Sequence, residues 1–227
     1  MRLTEKYTQM KYVTFLVLVL SLGLSACKKY RLNQPAYLNF SWNFFNNSQV
    51  NSKVIIESGQ FYIDQLSIDG KRTEGQDVEI NQNLPYLQTS FYSSGSLGLS
   101  LDIPVGEYTD FQVSLNVNNT VSPCLLLKGH YDNGTDLIPI VIQWSSSKKL
   151  DFKNLNGFTL KKKKDYKITL GTDISKLLST ISSNQWEMAA ISNEQGIPTI
   201  VIKDSYNAGI YQEIDEQLAK SLILTVE

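Results

Sequence analysis

Period-two alternation is the feature that most limits what this chain can fold into. Leu97, Leu99, Leu101 and Ile103 alternate with Gly98, Ser100 and Asp102, and Phe111, Val113, Leu115 and Val117 alternate with Gln112, Ser114 and Asn116. Successive side chains of an extended strand point to opposite faces, so each run has one apolar and one wet face. With Pro104-Val105-Gly106-Glu107 as the turn between them, the two runs are predicted to pair as a hairpin. Upstream, Leu38, Phe40, Trp42 and Phe44 share one face while Asn39, Ser41 and Asn43 share the other, and Asn46-Asn47-Ser48 ends that strand as a turn.

Further strands follow the same logic. Val54-Ile55-Ile56 is one, and Phe61-Tyr62-Ile63 with Leu66 and Ile68 is another. The apolar set switches from odd to even positions between Ile63 and Leu66, which predicts a β-bulge near Asp64-Gln65. Asp69-Gly70 and Glu74-Gly75 punctuate a loop, across which Val78–Ile80 can pair back. Leu125–Tyr131 and Leu137–Trp144 flank Asp132-Asn133-Gly134, a strong hairpin signal, and Ile138, Ile140, Ile142 and Trp144 share a face. Pro139 lacks a backbone donor, which places it at an edge or a bulge. Phe158-Thr159-Leu160 and Tyr166–Leu170 close the β region.

The period then changes. Ile174, Leu177, Leu178 and Ile181 follow helical spacing behind Thr172-Asp173 as caps. Thr199–Ile202 reads as a small strand, and Ile210, Ile214 and Leu218 recur every four residues after Asn207, a second helix through about Ser221. Short strands joined by Gly, Pro and Asn turns fit a mainly β fold, an antiparallel β-sandwich with two short C-terminal helices packed on it. The expected organisation is a sandwich over residues 36–171 and a helix-strand-helix extension of the same domain over 172–227.

Pro104-Val105-Gly106-Glu107-Tyr108 leading into an alternating strand gives the Leu97–Leu170 segment a second meaning. It resembles the immunoglobulin-like or transthyretin-like sandwich modules of uncharacterised bacterial lipoproteins. The match is short and implies no functional residue.

The first 26 residues have the parts of an export signal. Arg2, Lys6 and Lys11 make a positive start, Val13–Leu20 an apolar core, and small residues precede Cys27. The apolar run from Val13 to Leu24 is 12 residues, short of the roughly 20 that cross a bilayer. Translation from Met10 would leave a shorter signal of the same kind. Leu24-Ser25-Ala26-Cys27 resembles the lipobox of bacterial lipoproteins. The resemblance implies that the Cys27 thiol carries a diacylglycerol, that cleavage makes Cys27 the mature N-terminus, and that its amine can be acylated with a fatty acid such as palmitate. The alternative is an ordinary cleaved signal with Cys27 as a free thiol or disulfide partner. Lys28-Lys29 stand where an Asp would favour inner-membrane retention in such lipoproteins, so the expected address is the outer membrane. No acidic surface-export cluster follows, and a periplasm-facing orientation is expected over the cell surface. Residues 27–35 would form a tether.

Removing 26 of 227 residues leaves 201, enough for one generous domain with a real core. Arg2, Lys6, Lys11 and Glu5 go with the leader, leaving 18 basic and 21 acidic residues, net −3. A nucleic-acid binder normally shows a basic excess, so no nucleic-acid partner is expected. With Cys27 acylated, Cys124 has no intramolecular partner and reads as a small buried apolar residue.

Candidates for chemistry are few. His130 is the single histidine, with no motif to supply a nucleophile or carboxylate, and reads as an ordinary strand-end residue. One histidine and one unacylated cysteine leave little for tetrahedral zinc, so no metal or cofactor is expected. Asp132-Asn133-Gly134-Thr135-Asp136 gathers oxygen ligands but lacks the loop length and terminal Glu of an EF-hand, and hairpin chemistry explains it. Lys161–Lys164 reads first as a solvated turn or protected edge, and second as a contact for an anionic headgroup or polysaccharide. The aromatic residues raise a sugar-binding idea. Trp42 and Trp144 lie on apolar strand faces and belong to the core, whereas Trp186 follows no strong period and is the candidate for a contact surface.

The expected function is a non-enzymatic, lipid-anchored binding or structural module of the cell envelope, held to the membrane by its lipid and meeting an envelope protein or glycan through its surface. The alternative is an envelope hydrolase or glycan-processing enzyme whose carboxylates come together only in the fold. A solute-binding lipoprotein ranks below both, since it normally needs two lobes and a larger chain.

Overall fold

A computed structural model describes residues 35–45, 53–90, 96–117, 122–152, 155 and 157–227. The leader, Cys27, most of the tether and the Asn46-Asn47-Ser48 turn lie outside them. The strands are β1 (Pro35–Phe45), β2 (Val54–Arg72), β3 (Val78–Ser90), β4 (Ser96–Pro104), β5 (Gly106–Val117), β6 (Leu125–Asp132), β7 (Leu137–Trp144), β8 (Lys148–Asp151), β9 (Phe158–Leu160) and β10 (Asp165–Asp173). They are followed by α1 (Ile174–Leu177), α2 (Ser183–Glu187), β11 (Ile191–Glu194), β12 (Ile197–Ile202), α3 (Ala208–Leu218) and β13 (Leu222–Val226).

Among these residues the strands form two sheets. One has the order β13-β10-β1-β4; the other runs β11-β12-β7-β6-β2-β5-β8, with β3 added along β2 and β9 along β5. The alternation sets the inner faces. Ala36, Leu38, Phe40, Trp42 and Phe44 of β1 are buried against Phe61, Ile63, Val113 and Leu115 of the larger sheet, in one contiguous core cluster. Trp42 is central to it, with ring centroids 4.9 Å from Phe61 and 5.9 Å from Phe44. The molecule is the mainly β sandwich that the pattern predicts.

The bulge falls where the switch of parity puts it, with a register shift between Ile63 and Gln65 in the β2–β3 pairing. A second shift between Ile56 and Ser58, against β6, turns the even-numbered Val54 and Ile56 into the odd-numbered Phe61 and Ile63 without changing face. Each extra residue flips the alternation once, so β2 runs unbroken for 19 residues instead of as two strands. The β6–β7 hairpin forms as predicted, Leu125 opposite Trp144. Pro139 lies one residue before β12 begins to pair with β7 at Ile140, at the less constrained end of its strand.

Three expectations need correction. The runs 97–103 and 111–117 are not a hairpin: β4 pairs with β1 in the smaller sheet, while β5 pairs with β2 in the larger. Alternation specifies a face and says nothing about the partner, and here the chain changes sheets at Val105. The sandwich is also not wholly antiparallel, because β1 lies parallel to β10 and β12 parallel to β7. Both pairings join strands distant in sequence, as the crossover of a parallel pair requires. Finally, the helical region holds three short helices and a 3₁₀ turn at Ala219–Ser221. Asp173 caps α1 by accepting from the Lys176 amide at 2.9 Å, but the helix stops at Leu177. Ser182 then starts α2 with a capping box to Gln185. The C-terminal strands join both sheets: β12 and then β11 extend the larger one beyond β7, and β13 is the edge of the smaller one.

The corner between β4 and β5 shows how the change of sheet is held. The Tyr108 hydroxyl donates to the Pro104 carbonyl at 2.6 Å, and the Arg72 guanidinium donates to the Val105 carbonyl at 2.6 Å and to the Gln76 carbonyl at 3.2 Å. Gly106 adopts φ +145°, open to glycine, beside that guanidinium.

Candidate functional site

The sequence candidates scatter through the fold and do not converge. Trp186 is 1% exposed, so it is not a contact surface. It is the buried residue of α2, and its ring stacks on Tyr131 with centroids 6.4 Å apart. A five-residue helix gives too few turns for a period, which is why the sequence left Trp186 unassigned. His130, in β6 directly opposite Pro139, has Nδ1 3.1 Å from Glu57 Oε1 at the β2 bulge. In the 132–136 turn, Asp132 Oδ1 accepts from the Gly134 amide at 2.8 Å, and Asn133 Oδ1 accepts from the amides of Thr135 and Asp136. These oxygens thus serve the turn's own backbone. Cys124 is fully buried, and burial pushes its thiol pKa up. Lys161–Lys164 are exposed and join β9 in one sheet to β10 in the other.

What the fold does bring together lies along α3. Its stripe Ile210, Ile214 and Leu218 is buried. One residue on from Ile210 and Ile214, Tyr211 and Asp215 share an adjacent face at i and i+4. Asp215 Oδ1 accepts from the buried Trp144 indole N–H at 2.8 Å, and Asp215 Oδ2 lies 3.2 Å from Lys148 Nζ. Lys148 also donates to the Asp215 carbonyl at 2.9 Å. The Tyr211 hydroxyl donates to the Ser145 carbonyl at 3.1 Å and accepts from the Ser145 amide at 3.3 Å. Burial raises the Tyr211 pKa, partly opposed by that backbone bond, so the hydroxyl is a donor at neutral pH. The expectation that Trp144 belongs to the core agrees with its full burial, but nothing near it in sequence points to Asp215 as the acceptor of its N–H.

These bonds floor an open depression of about 240 Å³ lined by Ser145, Ser146, Tyr211, Gln212, Asp215 and Glu216. A second, of about 250 Å³, lies at the other end of α3 against α2, with Gln185, Met188 and Asn207 on its walls. Asn207 sits at φ +56° and does not cap α3 with its side chain. Its amide bonds both backbone groups of Ala190 and the Val201 carbonyl, pinning β12 to the loop after α2. Met188 is 76% exposed at the rim.

Pockets that enclose a small molecule usually measure about 300–1,000 Å³. Both depressions are smaller and open, with room for a partner's side chain or a single ring. Asp215 is already committed to Trp144 and Lys148. Among the described residues, no group of His, Cys, Asp and Glu is placed to hold a metal ion, and no helix is long and apolar enough to cross a membrane. In comparisons with known proteins, no family model, curated sequence or solved structure matches this chain.

Proposed function

We propose that this chain is a lipid-anchored protein of the bacterial outer membrane, facing the periplasm, and that it works as a binding or structural module. The observation that carries this is Leu24-Ser25-Ala26-Cys27 directly behind a short apolar core. A thioether-linked diacylglycerol with a further N-acyl chain holds far more firmly than one chain, at about 0.8 kcal/mol per buried methylene. The domain starts at Pro35, eight residues beyond Cys27, and so sits close to its anchor. The Tyr108–Pro104 bond resembles the tyrosine corner of immunoglobulin-like sandwiches and supports that grouping of the module.

The module meets its partner, an envelope protein or a glycan, along the open polar face of α3 and the Met188 rim. Metabolic labelling with a clickable fatty acid tests the anchor: the wild-type protein takes the label and Cys27→Ala does not. A wild-type chain released unlabelled and soluble overturns it. Crosslinking in intact cells from positions 188 and 212 tests the surface. A discrete partner captured there and lost with charge-reversed α3 variants is the expected result.

A further inference from the structure

We propose that the Lys161–Lys164 turn is a second, electrostatic membrane contact that seats the sandwich on anionic phospholipid headgroups of the bilayer holding the Cys27 lipid. The inference rests on the lipid-anchor reading and adds a surface of the folded domain to it.

The argument is one of placement. The Lys163 amide donates to the Pro35 carbonyl at 3.3 Å, and the Tyr37 amide donates to the Lys164 carbonyl at 3.1 Å. The basic turn is thus bonded to the start of β1, the point at which the chain arrives from Cys27. Eight residues at no more than roughly 3.6 Å each put Pro35 within about 29 Å of the acylated sulfur. A membrane tethered at Cys27 is therefore within reach of this end of the sandwich, where β1 begins beside the basic turn.

Charge and exposure agree with the placement. All four lysines are exposed. Among the described residues none of the four is in an ion pair, and Lys164 Nζ stands 4.7 Å over the Tyr166 ring. Acidic neighbours exist: Asp165 follows the run, Asp102 also lies opposite Tyr37, and Glu227 is 3.8 Å from Lys167. Asp165 and Asp102 thus flank Tyr37 beside the turn, and the four exposed lysines outnumber them at this tip. Lys163 adopts φ +53°, a conformation that asparagine or glycine fills at less cost. A tight turn alone does not ask for lysine there. Near an anionic surface each basic residue strengthens partitioning about fivefold, and the attraction fades within a Debye length of about 8 Å at physiological salt.

The test uses the mature-length chain, residues 27–227, carrying Cys27→Ser so that no acyl chain contributes. The probes are phosphatidylcholine vesicles, alone or mixed with an equal amount of phosphatidylglycerol. The expected result is sedimentation with the phosphatidylglycerol vesicles only, weakening as salt rises. Replacing Lys161–Lys164 with Gln should cut the partition coefficient at least about tenfold while the melting temperature holds. Replacing Lys28, Lys29 and Arg31 with Gln should leave most of the binding. Equal binding to both vesicles, binding untouched by the Lys161–Lys164 change, or binding only to a soluble anionic polysaccharide overturns the proposal. Because this chain carries no lipid, that failure is separate from failure of fatty-acid labelling in the wild type.

Discussion

The Tyr108 hydroxyl reaches back four residues to the Pro104 carbonyl at 2.6 Å, across the point where the chain leaves the smaller sheet for the larger. The bond closes a corner that Arg72 braces from β2, and it needs room: a Cβ on Gly70 would lie 2.7 Å from Tyr108 Cε1. Gly70→Ala is therefore expected to destabilise the domain by about 1–3 kcal/mol through overpacking. Urea denaturation measures it. The double variant Gly70→Ala/Tyr108→Leu should lose less than the sum of the two single changes, because the ring that clashes is gone.

Burial pushes the Tyr108 pKa up to about 12, the Arg72 charge opposing the shift. The folded pKa is above the ordinary 10.0, so the folded state favours the protonated hydroxyl. Its contribution is complete below pH 10 and is lost as pH climbs through about 12. Melting temperature followed from neutral to strongly alkaline pH should fall more steeply in the wild type than in Tyr108→Phe. At neutral pH Tyr108→Phe should cost only about 0.5–1.5 kcal/mol for the lost hydrogen bond.

Asp215 joins α3 to the sandwich by two unequal bonds. Its pair with Lys148 is about one third exposed and contributes little, about 0–1 kcal/mol. Its bond to Trp144 serves a buried indole N–H. Asp215→Asn, which keeps an acceptor, should therefore be nearly neutral. Asp215→Ala should cost about 1–3 kcal/mol, with faster hydrogen exchange confined to α3 as the diagnostic.

Trp186 and Tyr131 stack in the core, and neither the indole N–H nor the Tyr131 hydroxyl has a hydrogen-bond partner among the described residues. Trp186→Ala should cost about 3–5 kcal/mol as a large cavity opens. Trp186→Phe keeps much of the ring and removes an unbonded donor, so it should cost far less. Chemical denaturation of the two variants side by side separates packing from polarity. Equal losses would overturn packing of the ring as the source of the stability.

Much of the fold was legible because burial writes itself along a strand. The alternating faces of β1, β4 and β5, the bulge at Asp64 and the 132–136 hairpin all follow from neighbours in sequence. Some of the short elements were not legible. β11 is Ile-Ser-Asn-Glu with little burial, and α2 is too brief to show a period. The α3 face escaped for another reason: Trp144 and Asp215 are 71 residues apart, and nothing local pairs them.

The chain by itself determined which side of each strand turns inward, where the extra residues fall and which cysteine follows the N-terminal apolar run, because these depend on residues a few positions apart. Only the tertiary structure decided which sheet each strand joins, that β1 lies parallel to β10, and that four lysines share a tip with the start of β1. Such pairings are chosen by packing between distant segments, where many partners offer the same alternating apolar face and only the assembled core distinguishes them.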